Sequence, residues 1–486
     1  MNVPSPLAAL KPETLWKHFD RILSTPHCSG GEKPLGNYVV SEAKRLGLSW
    51  RRDKVGNIVV RKPASAGLES SPPLALQGHM DMVCEKNSDV AHDFGKDPII
   101  PVLKDGWIQA QGTSLGSDNG IAVAACLAVL EDPGLVHGPI ECLFTVDEER
   151  GLTGARSIPP GFLQSQRMLN LDSEEEGTFT IGCSGGADTE FVLPVKRAKA
   201  KPGAPFALSI SGLRGGHSGL DIHLGRGNAI KILARVLAEA VRRFDLALVR
   251  FEGGSKHNAI PREARAEFLF APSAVHRFRS FLEKALADIR AEYGSVETDL
   301  AWSLGPAAGR APAPMAETAR DRLLAFLLAS PHGVLRMHPQ IAGLTETSNN
   351  LAIIRTGASS VKVLSSSRSS VGPALAAVRR SLKALGDLAG ASVRQPAGYP
   401  GWAPNLTSPL LAKVQGVHER VFGKKAEVVA VHAGLECGII GEKFPGMDMI
   451  SFGPNIRHPH SPDEKVEVAS VLKFWGLLLA VLKDLS

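Results

Sequence analysis

The sequence lacks the cysteine spacing of metal-finger and redox proteins. Its six cysteines are far apart and include no CxxC pair, which excludes a zinc ribbon and a thioredoxin-like motif. Several lie inside apolar runs, where cysteine behaves as a small hydrophobic residue. Cysteine use of this kind predicts reduced thiols and a cytoplasmic location.

Long hydrophobic runs are also missing. The longest, FWGLLLAVL at 474–482, has about half the length of a membrane span, so we expect a buried C-terminal helix and no membrane partner. The first twenty residues show no basic start followed by an apolar core, so no signal peptide is predicted. Lysines and arginines are scattered and the net charge is only +6, which argues against a nucleic-acid partner.

What the chain does contain is a regular alternation of strand and helix patterns. Its 486 residues suggest about two or three domains. Residues 1–186 read as the first part of an α/β domain, with a doubly wound mixed sheet and helices on both faces. The same pattern returns at 402–486, so the chain is expected to leave this domain and come back to it.

The intervening residues, 187–401, predict an inserted α+β lid domain. The segment KRAKAKPGAP at 196–205 resembles a linker between the two domains. After it come elements in the order β-α-β-β-α-β, and a second, similar round follows. The repeated order suggests a duplication, although the two rounds share no sequence repeat.

Five polar clusters follow predicted strands or open helices of the outer domain. They are GHMDMV (His79, Asp81), SLGSDNG (Asp118), TVDEERG (Glu148, Glu149), LNLDSEE (Asp172) and RHPHSPDEKVEV (His458, His460). Each alone has a structural interpretation: a core histidine, a helix N-cap, or a solvated loop. Sites in open α/β sheets form beyond the carboxyl ends of strands, so together these clusters predict one shared site.

A set of two imidazoles and several carboxylates suits a pair of divalent cations. Carboxylates packed together repel each other, and cations between them remove the penalty. Nitrogen and oxygen ligands of this kind suit Zn²⁺, although Mn²⁺ or Co²⁺ could occupy the same ligands.

The five motifs, in this order, resemble the co-catalytic zinc metallopeptidases that include carnosinase, and most closely their bacterial aminoacyl-histidine dipeptidases. The resemblance implies metal ligation by five residues: His79, Asp118, Glu149, Asp172 and His460. It implies that Asp118 bridges two zinc ions and that the peptide bond after it is cis. It further implies that Glu148 is the general base and that Asp81 orients His79.

The inserted domain carries further residues that match the family. His217 in GGHSG corresponds to a histidine that stabilises the oxyanion, commonly in the partner subunit's site, so the resemblance implies a homodimer. From the residues alone, a histidine in a flexible loop is an equal alternative. Candidate substrate-binding residues are Asn258, Arg368, Gly434 and Glu436, and Arg368 would suit a peptide carboxylate.

The sequence therefore predicts metal-dependent hydrolysis of dipeptides, Xaa-His or broader. A free amine would need a carboxylate, and one of Glu174, Glu175 and Glu176 could supply it, with a solvated acidic loop as the alternative. An amidohydrolase or carboxypeptidase acting on N-acyl amino acids is the rival function. A peptide-binding protein without activity is disfavoured, because all seven inner-site positions are present.

Overall fold

The chain folds into two units, described here by a computed structural model of residues 5–199, 203–307 and 313–486. The outer unit comprises the residues up to Cys183 together with Trp402–Ala430 and Leu435–Ser486. The inserted unit comprises Ser184–Gly401 and the short segment Val431–Gly434. The sequence predicts that short segment in the outer domain, but the N–H of Ser184, at the start of the inserted unit, donates to the carbonyls of Val431 and Ala433.

An eight-stranded mixed sheet organises the outer unit. In spatial order its strands are Ser49–Arg52, Ile58–Lys62, Ile140–Thr145, Leu74–His79, Arg167–Asn170, Asp448–Ser451, Thr178–Cys183 and Glu427–Val431. The strand Leu74–His79 is buried throughout and runs parallel to both of its neighbours. Because parallel strands end at the same edge, the segments that follow these three strands emerge side by side.

Helices surround this sheet. They are Glu13–Leu23, Lys33–Arg45, Ser117–Glu131, Thr153–Ser157, Pro409–Phe422, Glu436–Lys443 and Val468–Asp484. The helix Ser117–Glu131 is buried from its first residue to Leu130, as expected of a helix that is apolar all round. A small second sheet contains Ile456–Arg457, Lys465–Glu467, Trp107–Ala110 and Pro101–Lys104. Its first two strands flank the loop that carries His460.

The inserted unit is built around one long antiparallel sheet. Its strands, in spatial order, are Ala301–Pro306, Ala204–Ser211, Ala264–Phe270, Ala247–Gly253, Thr345–Thr356, Ser360–Ser369, Gly185–Pro194 and Ser392–Arg394, with Gly333–Met337 beside Thr345–Thr356. Gly216–His217 and Ala259–Ile260 form a separate pair. Its helices are Ala229–Phe244, Val275–Tyr293, Glu317–Ala329 and Gly372–Leu388, and it has short 3₁₀ turns at Ile222–Leu224 and Pro272–Ala274. Another 3₁₀ turn, Pro6–Ala9, belongs to the outer unit.

The topology of this sheet explains the repeated order of elements. Counted inward from one edge of the sheet, the first four strands are the fourth, first, third and second of their set in chain order. Counted inward from the opposite edge, the other four strands follow the same order. The second round takes Gly185–Pro194 as its first strand, and the whole first round lies between that strand and Glu317–Ala329. The predicted linker at 196–205 is therefore wrong as a domain boundary, since it connects two strands of one unit. Residues 200–202 of it lie outside the described residues.

Cysteines depart in one place from the expectation of reduced thiols. Cys28 and Cys84 form a disulfide. The other four, Cys126, Cys142, Cys183 and Cys437, are free and buried, as small hydrophobic residues would be. Among the helices of the described ranges, none combines the length and the apolar character needed to cross a bilayer.

The contact between Leu74–His79 and Ser117–Glu131 should be sensitive to added volume at Gly78. A Cβ there would lie 2.6 Å from Asn119 Oδ1 and 2.8 Å from Ala122 Cβ. We expect Gly78→Ala to lower the free energy of unfolding by about 1–3 kcal/mol, measured by urea denaturation, because overpacking displaces the helix. Gly476→Ala is the control: its Cβ would meet nothing within 4 Å, and alanine favours a helix. Equal stability of the two variants would contradict this packing.

Candidate metal centre

The predicted ligand residues of the outer unit meet at one edge of its sheet. His79 is the last residue of Leu74–His79, and Asp172 follows Arg167–Asn170. Glu148 and Glu149 follow Ile140–Thr145 after a break in the strand at Asp147, which has a positive φ of 53°. The parallel pairing of the three strands brings these side chains together.

Asp118 lies between the two histidines. Its Oδ1 is 3.2 Å from His79 Nε2, and its Oδ2 is 3.2 Å from His460 Nε2. Asp118 stands at the start of Ser117–Glu131 with non-helical φ and ψ, and the Asp118–Asn119 peptide bond is cis, as the resemblance implies. One carboxylate thus presents an oxygen to each imidazole, which is the arrangement that a ligand shared by two cations requires.

Two groups of possible metal ligands share this carboxylate. In one, His79, Asp118 and Asp172 offer ligand atoms that all lie within 4.8 Å of one another, and in the other Asp118, Glu149 and His460 do so. Asp172 Oδ1 is 3.3 Å from His79 Nε2, and Glu149 Oε1 is 3.0 Å from His460 Nε2. Within the described residues, neither oxygen accepts a hydrogen bond, although both are buried. Buried carboxylate oxygens without a donor fit a bound cation.

Asp81 anchors both sides of the site. The nearest acceptor for His79 Nδ1 is the backbone carbonyl of Asp81, at 2.9 Å, while the Asp81 carboxylate lies 3.4 Å away. A proton on Nδ1 leaves Nε2 free to face the carboxylates. The same carboxylate accepts hydrogen bonds from the backbone N–H groups of Glu148 and Glu149, at 2.9 and 3.2 Å, and from the Ser29 hydroxyl at 2.7 Å.

The electrostatics of the site show a deficit of positive charge. Burial, together with neighbouring carboxylates, raises the pKa of Glu148, Glu149 and Asp172 above their usual values. The adjacent carboxylates of Asp118 and Glu149 raise the pKa of His460 to about 11. Burial opposes a charge on His79, but Asp172 and Asp118 outweigh it and raise its pKa well above the usual value. Cations bound between these groups would balance the carboxylates and favour neutral imidazoles.

Glu464 is a buried site residue that sequence reasoning missed. Its carboxylate accepts hydrogen bonds from the backbone N–H groups of Leu115, Gly116, Ser117 and Asp118 and from the Ser117 hydroxyl, at 2.7 to 3.2 Å. Its side chain fixes the loop that presents Asp118. The signal was present in RHPHSPDEKVEV, where none of the three acidic residues, Asp463, Glu464 and Glu467, had an assigned role.

Asn119 and Glu436 also hold the strand ends in place. Asn119 accepts from the N–H of His79 at 3.2 Å and donates to the Leu171 carbonyl at 3.0 Å, so it ties two strands to the helix start. Glu436, which the sequence analysis grouped with substrate binding, is completely buried and accepts from Gln77 and Thr145 at 2.6 and 2.5 Å. These hydrogen bonds hold together the two strands that carry Gln77 and Thr145.

The inserted unit brings His217 and Asn258 together. Gly216–His217 pairs with Ala259–Ile260, and the N–H of Ser218 donates to the Asn258 carbonyl at 2.8 Å. Nδ1 of His217 accepts from the N–H groups of Gly219 and Leu220 at 3.2 and 3.0 Å. Burial, helped by Arg368, lowers the pKa of His217 to about 4. The neutral ring therefore carries its proton on Nε2, where it can act as a donor.

Arg368 and Gly434 meet at Tyr399. Arg368 is 7% exposed, and its Nη1 donates to the Tyr399 hydroxyl at 2.9 Å, while its Nε has no hydrogen-bond partner among the described residues. A Cβ at Gly434 would lie 2.9 Å from the Tyr399 ring. His432 precedes Gly434 by two residues, and its Nε2 is 2.7 Å from the Ser348 hydroxyl. Burial lowers the pKa of His432 to about 3. A buried guanidinium whose Nε has no described hydrogen-bond partner is suited to an anionic ligand.

Comparison with known proteins identifies the family. The sequence pattern of peptidase family M20/M25/M40 matches residues 75–484, which include every predicted metal ligand. The chain belongs to this family. A curated M20 relative, the cytosol non-specific dipeptidase of Escherichia coli strain K12, is 42% identical over 482 residues and covers 99% of both chains.

Solved structures agree with this assignment. The aminoacylhistidine dipeptidase of Vibrio alginolyticus has a TM-score of 0.92 at 41% identity, with 99% of this chain and 98% of that chain covered. An aminopeptidase from Bacillus cereus has a TM-score of 0.59 at 16% identity, covering 98% and 99%, which shows a shared fold alone. The M20 chain is therefore a peptidase with the fold of that family, and the predicted resemblance is confirmed.

The loop around Asp118 should depend on the charge of Glu464. In Glu464→Gln an amide NH₂ would face backbone N–H groups, so those donors lose their acceptor. We expect the free energy of unfolding to fall by about 1–3 kcal/mol and the affinity for added Zn²⁺ to fall about tenfold or more, measured by urea denaturation and calorimetric titration. Asp463→Asn, an exposed neighbour, serves as the control. Unchanged Zn²⁺ affinity in Glu464→Gln would refute the positioning role.

Proposed function

We propose that this M20 chain hydrolyses dipeptides at a pair of divalent cations held by His79, Asp118, Glu149, Asp172 and His460. The observation that carries the proposal is the position of Asp118, with one oxygen 3.2 Å from each imidazole. The two relatives of 41–42% identity, each spanning nearly the full chain, are both named dipeptidases. Metal-dependent dipeptide hydrolysis follows from that likeness.

The donor set favours Zn²⁺, with Mn²⁺ or Co²⁺ as alternatives. Two imidazole nitrogens and three carboxylates form a nitrogen–oxygen set that is typical of these ions. When bound, the cations supply a water of lowered pKa and polarise the scissile carbonyl.

We propose Glu148 as the general base. Its side chain forms a group with His79 and Glu149 in which one ligand atom of each lies within 4.8 Å of the others. Its backbone is fixed by Asp81, so the carboxylate is held against the site. Glu148 can take a proton from the attacking water and pass it to the leaving amine. Asp81 would act on His79 mainly by fixing its tautomer through the backbone carbonyl.

The inserted unit supplies the proposed substrate contacts. Arg368 would bind the peptide carboxylate, since its Nε is left without a partner and Tyr399 holds its Nη1. Gly434 leaves room beside Tyr399 that a side chain would fill. Asn258, adjacent to His217, is proposed as a further substrate contact. His217, with its proton on Nε2, would donate to the carbonyl oxygen as it gains negative charge.

The proposed function is tested with a substrate panel and one variant. We expect the metal-loaded protein to cleave dipeptides in preference to N-acyl amino acids. Replacing the general base, as in Glu148→Gln, should lower kcat about 100-fold to 10,000-fold with bound metal unchanged. Glu442→Gln, an exposed glutamate of the outer unit, is the control for a lost charge. Activity on N-acyl amino acids alone would favour the amidohydrolase or carboxypeptidase alternative, and full turnover by Glu148→Gln would remove Glu148 from the mechanism.

We further propose a homodimer in which His217 serves the partner's site, as the resemblance implies. Mixing Glu148→Ala protein with His217→Ala protein then creates, after subunit exchange, heterodimers with one intact site. About a quarter of wild-type activity should return, because half of the dimers are mixed and each has one working site. Two inactive proteins that stay inactive after verified exchange would place His217 in its own subunit's mechanism.

A cytoplasmic location is proposed on the printed name of the E. coli relative and on the four free, buried thiols. The Cys28–Cys84 disulfide is the feature that argues against it.

A further inference from the structure

The three glutamates that follow Asp172 lie in three different environments. Glu175 is exposed to solvent. Glu176 forms a salt bridge with Lys473 at 3.1 Å. Glu174 is half-buried and forms no salt bridge with any residue that the structure describes. Of the three carboxylates, only that of Glu174 combines partial burial with the lack of a described cationic partner.

The contacts of the two preceding side chains indicate the side on which Glu174 lies. Asp172 points to His79, with the two side chains 3.3 Å apart. The Ser173 hydroxyl instead contacts those of Ser451 and Thr180 at 2.8 and 3.2 Å. Continued alternation along the chain would return the Glu174 side chain to the side of Asp172.

The backbone of Glu174 is held in place. Its carbonyl accepts from the N–H of Ile456 at 3.0 Å, and the N–H of Glu176 donates to Asn455 at 2.8 Å. These contacts tie the acidic segment to the strand that leads into the His460 loop. Arg457 Nη1 also donates to the Glu174 carbonyl, at 3.4 Å, so the backbone at Glu174 is anchored to the strand Ile456–Arg457.

Glu174 is close to the metal centre without being one of its ligands. The described groups that could share a cation do not include it. A half-buried carboxylate that follows a candidate ligand by two residues and has no described cationic partner favours the arrival of a positive charge.

A dipeptide carries such a positive charge on its α-amino group. Its α-amino nitrogen is two bonds from the scissile carbonyl carbon, a separation of about 2.5 Å from standard bond lengths and angles. An acceptor for the ammonium must therefore stand beside the metal ligands. We propose that Glu174 binds the free α-amino group of the substrate and so makes the site selective for unblocked dipeptides. The inference rests on the proposed function and names the specificity-determining residue of that site.

The test compares Glu174→Gln with its neighbour Glu175→Gln in metal-loaded protein. Each variant is assayed on Ala-Ala-type dipeptides with a free and with an N-acetylated amine. The kcat/KM for the free dipeptide is then divided by the kcat/KM for the acetylated one. We expect Glu174→Gln to lower this ratio about tenfold or more, chiefly by raising KM for the free dipeptide, because an ion-paired hydrogen bond is lost. Glu175→Gln should stay within about twofold of wild type.

A binding measurement without turnover provides a second readout. In a Glu148→Gln background, calorimetric titration should show weaker binding of the free dipeptide on adding Glu174→Gln, and no change on adding Glu175→Gln. An unchanged free-to-acetylated ratio, or an equal loss for both substrates, would overturn the role of Glu174. A wild-type protein that cleaves neither substrate would instead refute the proposed function, so the two failures are distinct.

Discussion

The candidate site depends on one shared carboxylate. Asp118 faces His79 with one oxygen and His460 with the other. It does so because the Glu464 carboxylate accepts hydrogen bonds from the backbone N–H groups of the loop before the helix. Asn119, at the helix start, also hydrogen-bonds to the backbone at the ends of two strands. A buried carboxylate satisfied by backbone donors fixes the loop more tightly than side-chain packing alone would. The rest of the ligand set is arranged around that fixed point.

Charge balance gives the second constraint. Five carboxylates and two imidazoles are gathered where burial disfavours charge. Neighbouring carboxylates raise the pKa of His79 and His460, and burial raises the pKa of Glu148, Glu149 and Asp172. Cations would compete with protons for these groups, so metal binding, protonation and the stability of this edge of the sheet are linked.

The inserted unit assembles its polar residues by a different device. Two rounds of the same topology share one sheet, and the polar row of Ser360–Ser369 lies against that of Thr345–Thr356. This arrangement buries Arg368 near His432 and His217, and burial together with the guanidinium lowers the pKa of both imidazoles. These two imidazoles then serve as neutral hydrogen-bonding groups.

The sequence by itself determined the alternation of strands and helices and indicated which residues are candidate ligands. Its motifs contain His79, Asp118, Glu149, Asp172 and His460, which the resemblance proposes as the ligands. Tertiary structure decided what pairing alone can set: the parallel neighbours of Leu74–His79, the first strand of the second round at Gly185–Pro194, and the Cys28–Cys84 bond. It also gave roles to Glu464 and Glu436, because a buried carboxylate is defined by donors distant in sequence. Local patterns report which face of an element is apolar, but only the fold brings residues hundreds of positions apart within hydrogen-bonding distance.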